Sequence, residues 1–291
     1  MKLIADSGSS NTAWYAMSGP SLPIHEFTLH SAGINPVRDD EATIRAVLTR
    51  VRGQLDAEGV CGRSSFGVSD VRAVHFYGAG CIPSCIPLMQ RLLAEQFPQA
   101  QVSVASDLLG AARALCGRSE GIACILGTGS NSCLYNGRDI VSNVPALGWI
   151  LGDEGSGAVL GRTLVSDLLK GQLPSSLRDA FLAEYNLTQD DIIQHVYRGE
   201  QPNRWLASLV PFIVAHRSDP CMNALLFSAF QRFLRRNVAA YGRRDLPVGF
   251  VGGIAAQFEA ELRSAATAEG FLVGRILKQP IIEMVGYHRE D

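Results

Sequence analysis

The sequence predicts an α/β protein with mixed sheets, in which two halves share one plan. Each half opens with strands joined by short turns and continues with helices and strands. The order of elements restarts after Gly117, and the stretch SGSSNTAWY at residues 7–15 is similar to TGSNSCLY at residues 128–135. Such self-similarity indicates a duplicated domain. The length of 291 residues accommodates two domains, which we place at residues 1–117 and 118–291.

Three strands followed by alternating helices and strands predict the mixed sheet of the first half. The helix at residues 37–58 carries apolar residues at helical spacing, and Ser106 is expected to cap the helix that starts at Asp107. In chain order, the predicted elements are strands at 2–6, 13–17 and 24–30, a helix at 37–58, a strand at 71–77, a helix at 88–97, a strand at 102–105 and a helix from about 107 to 117.

The second half opens with a short buried strand and a hairpin. Asn136–Gly137 predicts a tight turn in which both central residues have positive φ. In chain order, the predicted elements are strands at 122–126, 133–135 and 139–144, a largely helical stretch at about 157–241, and strands at 248–251 and 271–273.

Charge and composition argue against several classes of protein. The formal net charge is −2, and we interpret the basic group Arg235, Arg236, Arg243 and Arg244 as a solvated helix face rather than a nucleic-acid-binding stripe. The N-terminal apolar run, Leu3–Ala5, is too short for a secretory signal, and no stretch approaches the roughly 18 apolar residues of a membrane helix. Seven scattered cysteines without an export signal predict reduced thiols and a cytoplasmic protein.

Two turns rich in Gly, Ser and Thr are candidates for phosphate binding. Ser7–Thr12 follows the strand that ends at Asp6, and Gly127–Ser132 follows the strand at residues 122–126. A Rossmann loop would open a helix, whereas here each turn leads into a strand, so dinucleotide binding is not indicated. Clustered N–H groups and hydroxyls can form an anion-binding concavity. Taken singly, such a turn is more often an ordinary tight turn than a binding site.

Other segments have both a structural and a functional interpretation. Gly252–Gly253 follows a strand and precedes a helix, so it is either a close packing turn or a place where a flat base or ribose meets the backbone. Asp107 is either a first-turn acid of its helix or a carboxylate at the ligand-binding end of a strand. The same two interpretations apply to Asp153 and Glu154 on the glycine-framed loop Gly152–Gly157.

Together these features resemble the N-acetylglucosamine kinases and the related activator ATPases of benzoyl-CoA reductase and 2-hydroxyacyl-CoA dehydratase, within the actin, Hsp70 and hexokinase superfamily. The resemblance covers nearly the whole chain in the expected order. Its most specific parts are LGTGSN at residues 126–131 and GWILGDEGSG at residues 148–157. It also includes Asp6 with its turn, Asn35, Asp107 and Gly252–Gly253.

The resemblance implies two RNase H-like domains of the actin-like ATPase type, with ATP and a sugar meeting in an interdomain cleft. The first domain would carry the sugar side and the first phosphate loop, and the second, with its helical insertion at about 157–241, the nucleotide side. The implied ATP-binding residues are Asp6, Gly8, Ser9, Thr12, Gly127, Thr128, Gly129, Gly252 and Gly253. Asp6 would position Mg²⁺ through water. The implied sugar-binding residues are Asn35, Asp107, Asn131 and Asp153, and Asp107 would also be the catalytic base.

Two positions depart from the family pattern. Asn11 stands where many relatives carry Lys, and the chain ends soon after Tyr287, so the terminal helix is expected to be short. The predicted activity is ATP-dependent phosphoryl transfer to a hydroxyl of N-acetylglucosamine or a related amino sugar, by a protein that binds neither nucleic acid nor membranes and that could form a homodimer. The alternatives are an activator ATPase of a radical dehydratase, although Cys81 and Cys85 show no recognisable cluster spacing, and a non-catalytic ATP- or sugar-binding module.

Overall fold

Two five-stranded mixed sheets organise the chain, one in each of two units. The computed structural model describes residues 1–8, 10–17, 26–60 and 67–289. Unit 1 comprises Met1–Gly117 and Pro280–Asp291, and unit 2 comprises Arg118–Gln279. No helix in these described ranges is long and apolar enough to cross a membrane.

Unit 1 has the sheet order β3-β2-β1-β4-β5. Strands β1, β2 and β3 pair antiparallel, whereas β1, β4 and β5 run parallel. Its elements are β1 (Lys2–Ser7), β2 (Asn11–Met17), β3 (Glu26–Ala32), α1 (Glu41–Val60), a 3-10 turn (Val68–Asp70), β4 (Ala73–Gly78), α2 (Ile86–Gln96), β5 (Gln101–Ser106), α3 (Asp107–Cys116) and the terminal helix α13 (Ile281–Arg289).

Unit 2 repeats this plan with the order β8-β7-β6-β9-β10. Strands β6, β7 and β8 pair antiparallel, and β6, β9 and β10 run parallel. Its elements are β6 (Glu120–Leu126), β7 (Ser130–Asn136), β8 (Ile140–Ser142), α4 (Gly148–Leu151), α5 (Gly157–Leu169), α6 (Ser175–Tyr185), α7 (Gln189–Arg198), α8 (Pro202–Ala207), α9 (Val210–Ala215), α10 (Pro220–Phe233), a π turn (Leu234–Val238), a 3-10 turn (Ala239–Tyr241), β9 (Val248–Val251), α11 (Gly253–Gln257), α12 (Glu259–Ala268) and β10 (Val273–Leu277).

Each unit encloses its own apolar core. In unit 1, the fully buried Trp14 packs against Phe76, with ring centroids 5.7 Å apart, beside the apolar face of α1. In unit 2, Phe181 and Phe212 meet edge to face at 5.2 Å in a core that includes Phe230 and Phe250. Buried aromatic residues are more numerous in the core of unit 2 than in the core of unit 1.

The terminal helix belongs to unit 1, although the predicted second domain extended to residue 291. Helix α13 packs against α3 and against strands β1 and β2. Its His288 is buried, and its Nε2 shares a 2.7 Å hydrogen bond with the hydroxyl of Tyr77. The Nζ of Lys2 donates to the carbonyl of His288 at 2.8 Å. These contacts join residues that are far apart in the sequence, which is why element order alone assigned the segment to the wrong half.

Two predicted elements are displaced in the structure for a local reason. Helix α1 begins at Glu41 rather than at residue 37, because the carboxylate of Asp40 accepts a 2.7 Å bond from the N–H of Thr43 and caps the helix. The predicted strand at 271–273 is displaced to β10, because the N–H of Phe271 bonds Ala266 and closes α12.

The hairpin after β7 was predicted with the wrong turn geometry. Gly137 has φ +92°, but Asn136 does not have positive φ. The Asn136 N–H donates to Asp139, so Gly137 and Arg138 are the central residues, and the glycine takes the first of these positions as in a type II′ turn. The Asn136 Oδ1 accepts from the N–H groups of Arg138 and Asp139 at 2.9 and 2.8 Å.

Candidate active site

Asp6 and Asp107 lie at the same edge of the sheet of unit 1. Ser7, Gly78 and Ser106 pair across the parallel strands β1, β4 and β5, and they mark the carboxyl ends of these strands. Asp6 immediately precedes this row, and Asp107 follows it as the first residue of α3. Ligands of open α/β sheets bind at this edge. Ser106 caps α3 as predicted, because its side chain accepts from the N–H of Leu109 at 3.2 Å.

The pKa values of both carboxyl groups are raised toward neutral pH. Burial raises the pKa of Asp6 to about 7, and the charge of Asp107 adds to the shift. Burial raises the pKa of Asp107 to about 6, while its bond from the N–H of Leu108, 2.9 Å long, opposes the shift. A carboxylate with such a pKa is a competent general base near neutral pH.

The first loop is fastened to the segment before α1 by two buried hydroxyl groups. The hydroxyls of Ser7 and Thr12 lie 2.8 Å apart, and Thr12 donates to the carbonyl of Ala32 at 3.1 Å. The Ser7 hydroxyl also accepts from the N–H of Ile34 at 3.0 Å. Thr12 is therefore engaged within the sheet, and its predicted ATP contact stays a prediction. The exposed Gly8 is placed in the same loop, whereas the predicted contact at Ser9 lies outside the described residues.

Asn35 follows this fastened segment. Its N–H donates to Asp39 Oδ2 at 2.8 Å, and its Oδ1 accepts from the N–H of Val37 at 3.1 Å. Gly80 packs so closely on the amide that a Cβ at this position would overlap the Asn35 Oδ1. The carbonyl side of the amide is thus held by the protein, and its Nδ2 group is the donor available to a hydroxyl.

The second loop, in unit 2, is held by the amino terminus of α5. The N–H groups of Gly157 and Ala158 donate to the carbonyls of Gly127 and Thr128 at 2.8 and 3.1 Å. Within the loop, the N–H of Gly127 donates to Gly129 at 2.9 Å. Because these backbone groups are paired internally, the loop is fixed in one conformation.

Asp153 lies against this second loop. Its Oδ1 accepts from the N–H of Ser130 at 3.2 Å, and its Oδ2 would be 3.0 Å from a Cβ placed on Gly129. Burial raises the pKa of Asp153 to about 6; the bond from Ser130 lowers it, and the charge of Glu154 raises it. Asn131 follows this loop, and its Oδ1 already has partners within the protein. It accepts from the N–H of Ser132 and from the Nδ2 of Asn143, at 2.9 Å each.

Gly252 and Gly253 complete the group of predicted residues in unit 2. Gly252 has φ +128°, and any side chain there would overlap the carbonyl of Leu126 at the start of the second loop. Gly253 opens α11, and apart from its chain neighbours and the backbone of its own helix, no described atom lies within 4 Å of a Cβ placed on it. The double glycine thus serves two purposes: the first residue permits close packing, and the second leaves open space.

The structure therefore forms two groups of predicted residues, one in each unit. Unit 1 brings together Asp6, Asp107 and the loop that leads to Asn35, and unit 2 brings together Gly127–Gly129, Asp153 and Gly252. Sequence reasoning placed Ser7 in a phosphate loop, but it missed the buried hydrogen bond of Ser7 with Ile34 and the tight contact of Gly80, which position Asn35. It also missed the partners of the buried Glu154 carboxylate. These are Arg236 and Asn237, which lie more than 80 positions later in the sequence.

Comparison with known proteins supplies one relative with substantial sequence identity. A solved structure from Porphyromonas gingivalis, provisionally named an N-acetylglucosamine kinase, is 46% identical with a TM-score of 0.90, over 100% of this chain and 99% of that one. A structure from Chromobacterium violaceum with the same provisional name is 20% identical with a TM-score of 0.70, over 100% and 98%. A ROK family glucokinase from Streptomyces griseus, solved with glucose and AMPPNP, is 14% identical with a TM-score of 0.53, over 99% and 100%. The last two are likenesses of fold. No protein-family model and no curated protein sequence matches the chain.

Proposed function

Because the chain belongs to the N-acetylglucosamine kinase-like family of the actin-like ATPase superfamily, we propose that it transfers the γ-phosphoryl group of ATP to a hydroxyl of an amino sugar. The observation that carries this proposal is the half-buried Asp107 at the carboxyl edge of a sheet, with a pKa raised to about 6 and with Asp6 beside it. Among amino sugars, N-acetylglucosamine is the substrate we propose, since the 46% identical structure is named as a kinase of this sugar.

Each residue has a chemical task in this reaction. Asp107 accepts the proton of the attacking sugar hydroxyl, so that the oxygen bonds to the γ-phosphorus as the bond to the β-phosphate breaks and ADP leaves. Asn35 and Asp153 orient the sugar, with an amide donor and a carboxylate acceptor. The second loop binds phosphate through the backbone N–H groups of Thr128 and Gly129, since that of Gly127 donates within the loop. Gly253 offers its open face to the adenosine.

Asp6 would hold a magnesium ion mainly through water and phosphate, while Asp107 serves as the base. Asp6 and Asp107 place negative charge together, and burial destabilises that charge unless a cation compensates it. Among the residues that the structure describes, no three acidic, His or Cys side chains cluster as a metal cage. Mg²⁺ typically keeps several waters and binds one or two carboxylates with substrate phosphates. When bound, it would neutralise charge on the transferred phosphoryl group.

We also propose a cytoplasmic location, because ATP is the phosphoryl donor and the six described cysteines are free thiols.

The test is a panel of glucosamine, N-acetylglucosamine and a lactyl amino sugar, with glucose for comparison, each incubated with ATP and Mg²⁺. We expect ADP release that depends on the amino sugar, together with a mass-spectrometric phosphosugar in equal amount. ADP release that ignores every sugar would favour the activator ATPase. A protein that releases no ADP under any condition would favour the non-catalytic module.

A further inference from the structure

Glu154 is a buried carboxylate that the proposed reaction does not use. Only 8% of the residue is exposed. Its Oε1 forms an ion pair with Arg236 Nε at 2.6 Å, and its Oε2 accepts from Asn237 Nδ2 at 3.3 Å. Asn237 is itself buried and also donates to the carbonyl of Phe233. Both oxygens of Glu154 are therefore engaged by two consecutive residues.

These two residues lie in the π turn that continues α10. The π turn spans Leu234–Val238 and follows Phe233, the last residue of the α-helix. Short π segments inside helices recur at functional sites, because the extra residue redirects the side chains that follow. The end of α10 also packs on the loop directly, since a Cβ placed on Gly155 would be 3.3 Å from the Cβ of Phe233.

Asp153, the neighbour of Glu154, has a backbone that needs such support. Its φ is +51°, in the left-handed region that non-glycine residues seldom occupy. Its N–H donates to Ala146 and its carbonyl accepts from the N–H of Ser156, both at 3.1 Å. Strained residues persist only where the surrounding structure over-determines them. In this left-handed conformation, the Asp153 carboxylate lies against the second loop.

We propose that Glu154, clamped by Arg236 and Asn237, is the positioning residue that holds Asp153 in its sugar-binding orientation. The proposal rests on the proposed function, in which Asp153 binds sugar hydroxyls. Glu154 acts through Asp153 and touches no reactant. The π turn thus places the Arg236 guanidinium and the Asn237 amide against the buried carboxylate of Glu154.

The clamp also has an electrostatic consequence. The like charge of Glu154 raises the pKa of Asp153, and Arg236 offsets that charge through its ion pair. The cavity beside Glu154 is lined by two further charged side chains, Asp167 and Arg232, and Arg162 of α5 donates to the carbonyl of Trp149 upstream of the loop. None of these forms a hydrogen bond or ion pair with Glu154 in the described residues.

Two substitutions separate a positioning device from a general structural contact. Glu154→Gln removes the like charge, so the pKa of Asp153 should fall. Arg236→Gln leaves the charge of Glu154 without its cation, so the pKa of Asp153 should rise. Both variants should increase the KM for the amino sugar about tenfold while the KM for ATP changes less than about twofold. Arg236→Lys should restore part of the loss. Arg235→Gln is the matched control, because Arg235 pairs with Glu269 instead.

The measurements are the pH profile of sugar kcat/KM and the carboxyl-carbon NMR titration of Asp153 without ligand. Opposite shifts of the Asp153 titration in the two variants, with the split between the two KM values, would support the proposal. Shifts in the same direction, or an unchanged sugar KM in Arg236→Gln and Asn237→Ala, would overturn it. If the wild-type protein phosphorylates no amino sugar, the proposed function fails, and the NMR titration still decides whether Glu154 and Arg236 act on Asp153.

Discussion

Asp107 combines a placement and an acidity that a simple first-turn acid would not need. Asp107 lies at the carboxyl edge of three parallel strands, and burial raises its pKa to about 6. The cap of its helix is Ser106. An exposed aspartate in the first turn of a helix would gain from the helix dipole and would be shifted in the opposite direction. The structure thus favours the functional interpretation of this residue over the capping one.

Replacing Asp107 with Asn should reduce sugar phosphorylation by about 10²- to 10⁴-fold, because the variant cannot accept the proton of the attacking hydroxyl. Nucleotide affinity should change little. In the wild-type protein, the base must be deprotonated, so kcat/KM should fall as the pH drops through the range from about 7 to about 6 set by Asp6 and Asp107. A pH–rate profile from 4.5 to 8.5 measures this, with exposed Asp179→Asn as the control. Turnover of Asp107→Asn within a few-fold of wild type would refute the assignment.

Gly253 offers a cleaner test of the nucleotide site than the glycines around it. Gly253→Ala adds one methyl group in open space, so the fold should be unaffected. If the adenosine lies against this position, ADP affinity should fall at least tenfold. Gly53→Ala is the control, because its added methyl also meets no described atom and lies on α1. Isothermal titration with ADP, after circular dichroism confirms the fold, measures both. Equal affinities would remove Gly253 from the site.

At the scale of elements, the sequence predicted what depends on neighbours in the chain. The Ser106 cap and the stop of α3 at Gly117 were predicted correctly, because capping involves residues only three or four apart. The start of α1 was wrong, since a turn at Asn35–Pro36 and the Asp40 cap displaced it. The restriction at Gly129 also depends on a distant residue: the φ of Gly129 is not positive, and the carboxylate of Asp153 is what restricts a side chain there.

Contacts between distant segments could not be read from the sequence. Tyr77 and His288 are 211 residues apart, yet their hydrogen bond fastens α13 to the sheet. Arg236 has a side chain that is 62% exposed, which agrees with the expected solvated face, but its guanidinium also pairs with the buried Glu154. Periodicity describes which face of an element is apolar and contains no information about which polar residue of another element that face meets.

The Tyr77–His288 link predicts a stability effect specific to unit 1. Tyr77→Phe removes the hydroxyl that bonds His288 at 2.7 Å and that accepts from Arg113 at 2.5 Å, in a buried environment. The expected loss is about 1–3 kcal/mol in the free energy of unfolding. Tyr15→Phe is the matched control, because its hydroxyl bonds Glu26 at the surface, and surface changes usually stay within about 0.5 kcal/mol. Urea denaturation compares the two, and equal losses would show that α13 is not anchored by this bond.

At the scale of the whole molecule, the two units repeat one topology but carry different chemistry. The strand orders β3-β2-β1-β4-β5 and β8-β7-β6-β9-β10 correspond position by position. The acids Asp6 and Asp107 lie in unit 1, and the double glycine lies in unit 2, which also holds the helices between β8 and β9. The two hairpin loops thus occupy equivalent positions in the two sheets and carry different residues.

This division predicts that the nucleotide stabilises mainly unit 2, whereas the sugar stabilises both units. Trp14 is buried in the core of unit 1, so in a Trp149→Phe, Trp205→Phe protein its emission reports the unfolding of that unit. Far-UV circular dichroism reports mainly unit 2, which holds most of the helices. ADP at 100 times its Kd should stabilise the state that binds it by about 2.7 kcal/mol. In urea titrations, ADP should therefore move the dichroism midpoint more than the Trp14 midpoint. N-acetylglucosamine alone should move both midpoints, because Asn35 and Asp107 belong to unit 1 and Asp153 belongs to unit 2. An ADP shift confined to Trp14 would contradict the placement of the nucleotide, and the Gly253→Ala protein, which should lose the ADP shift and keep the sugar shift, provides the control.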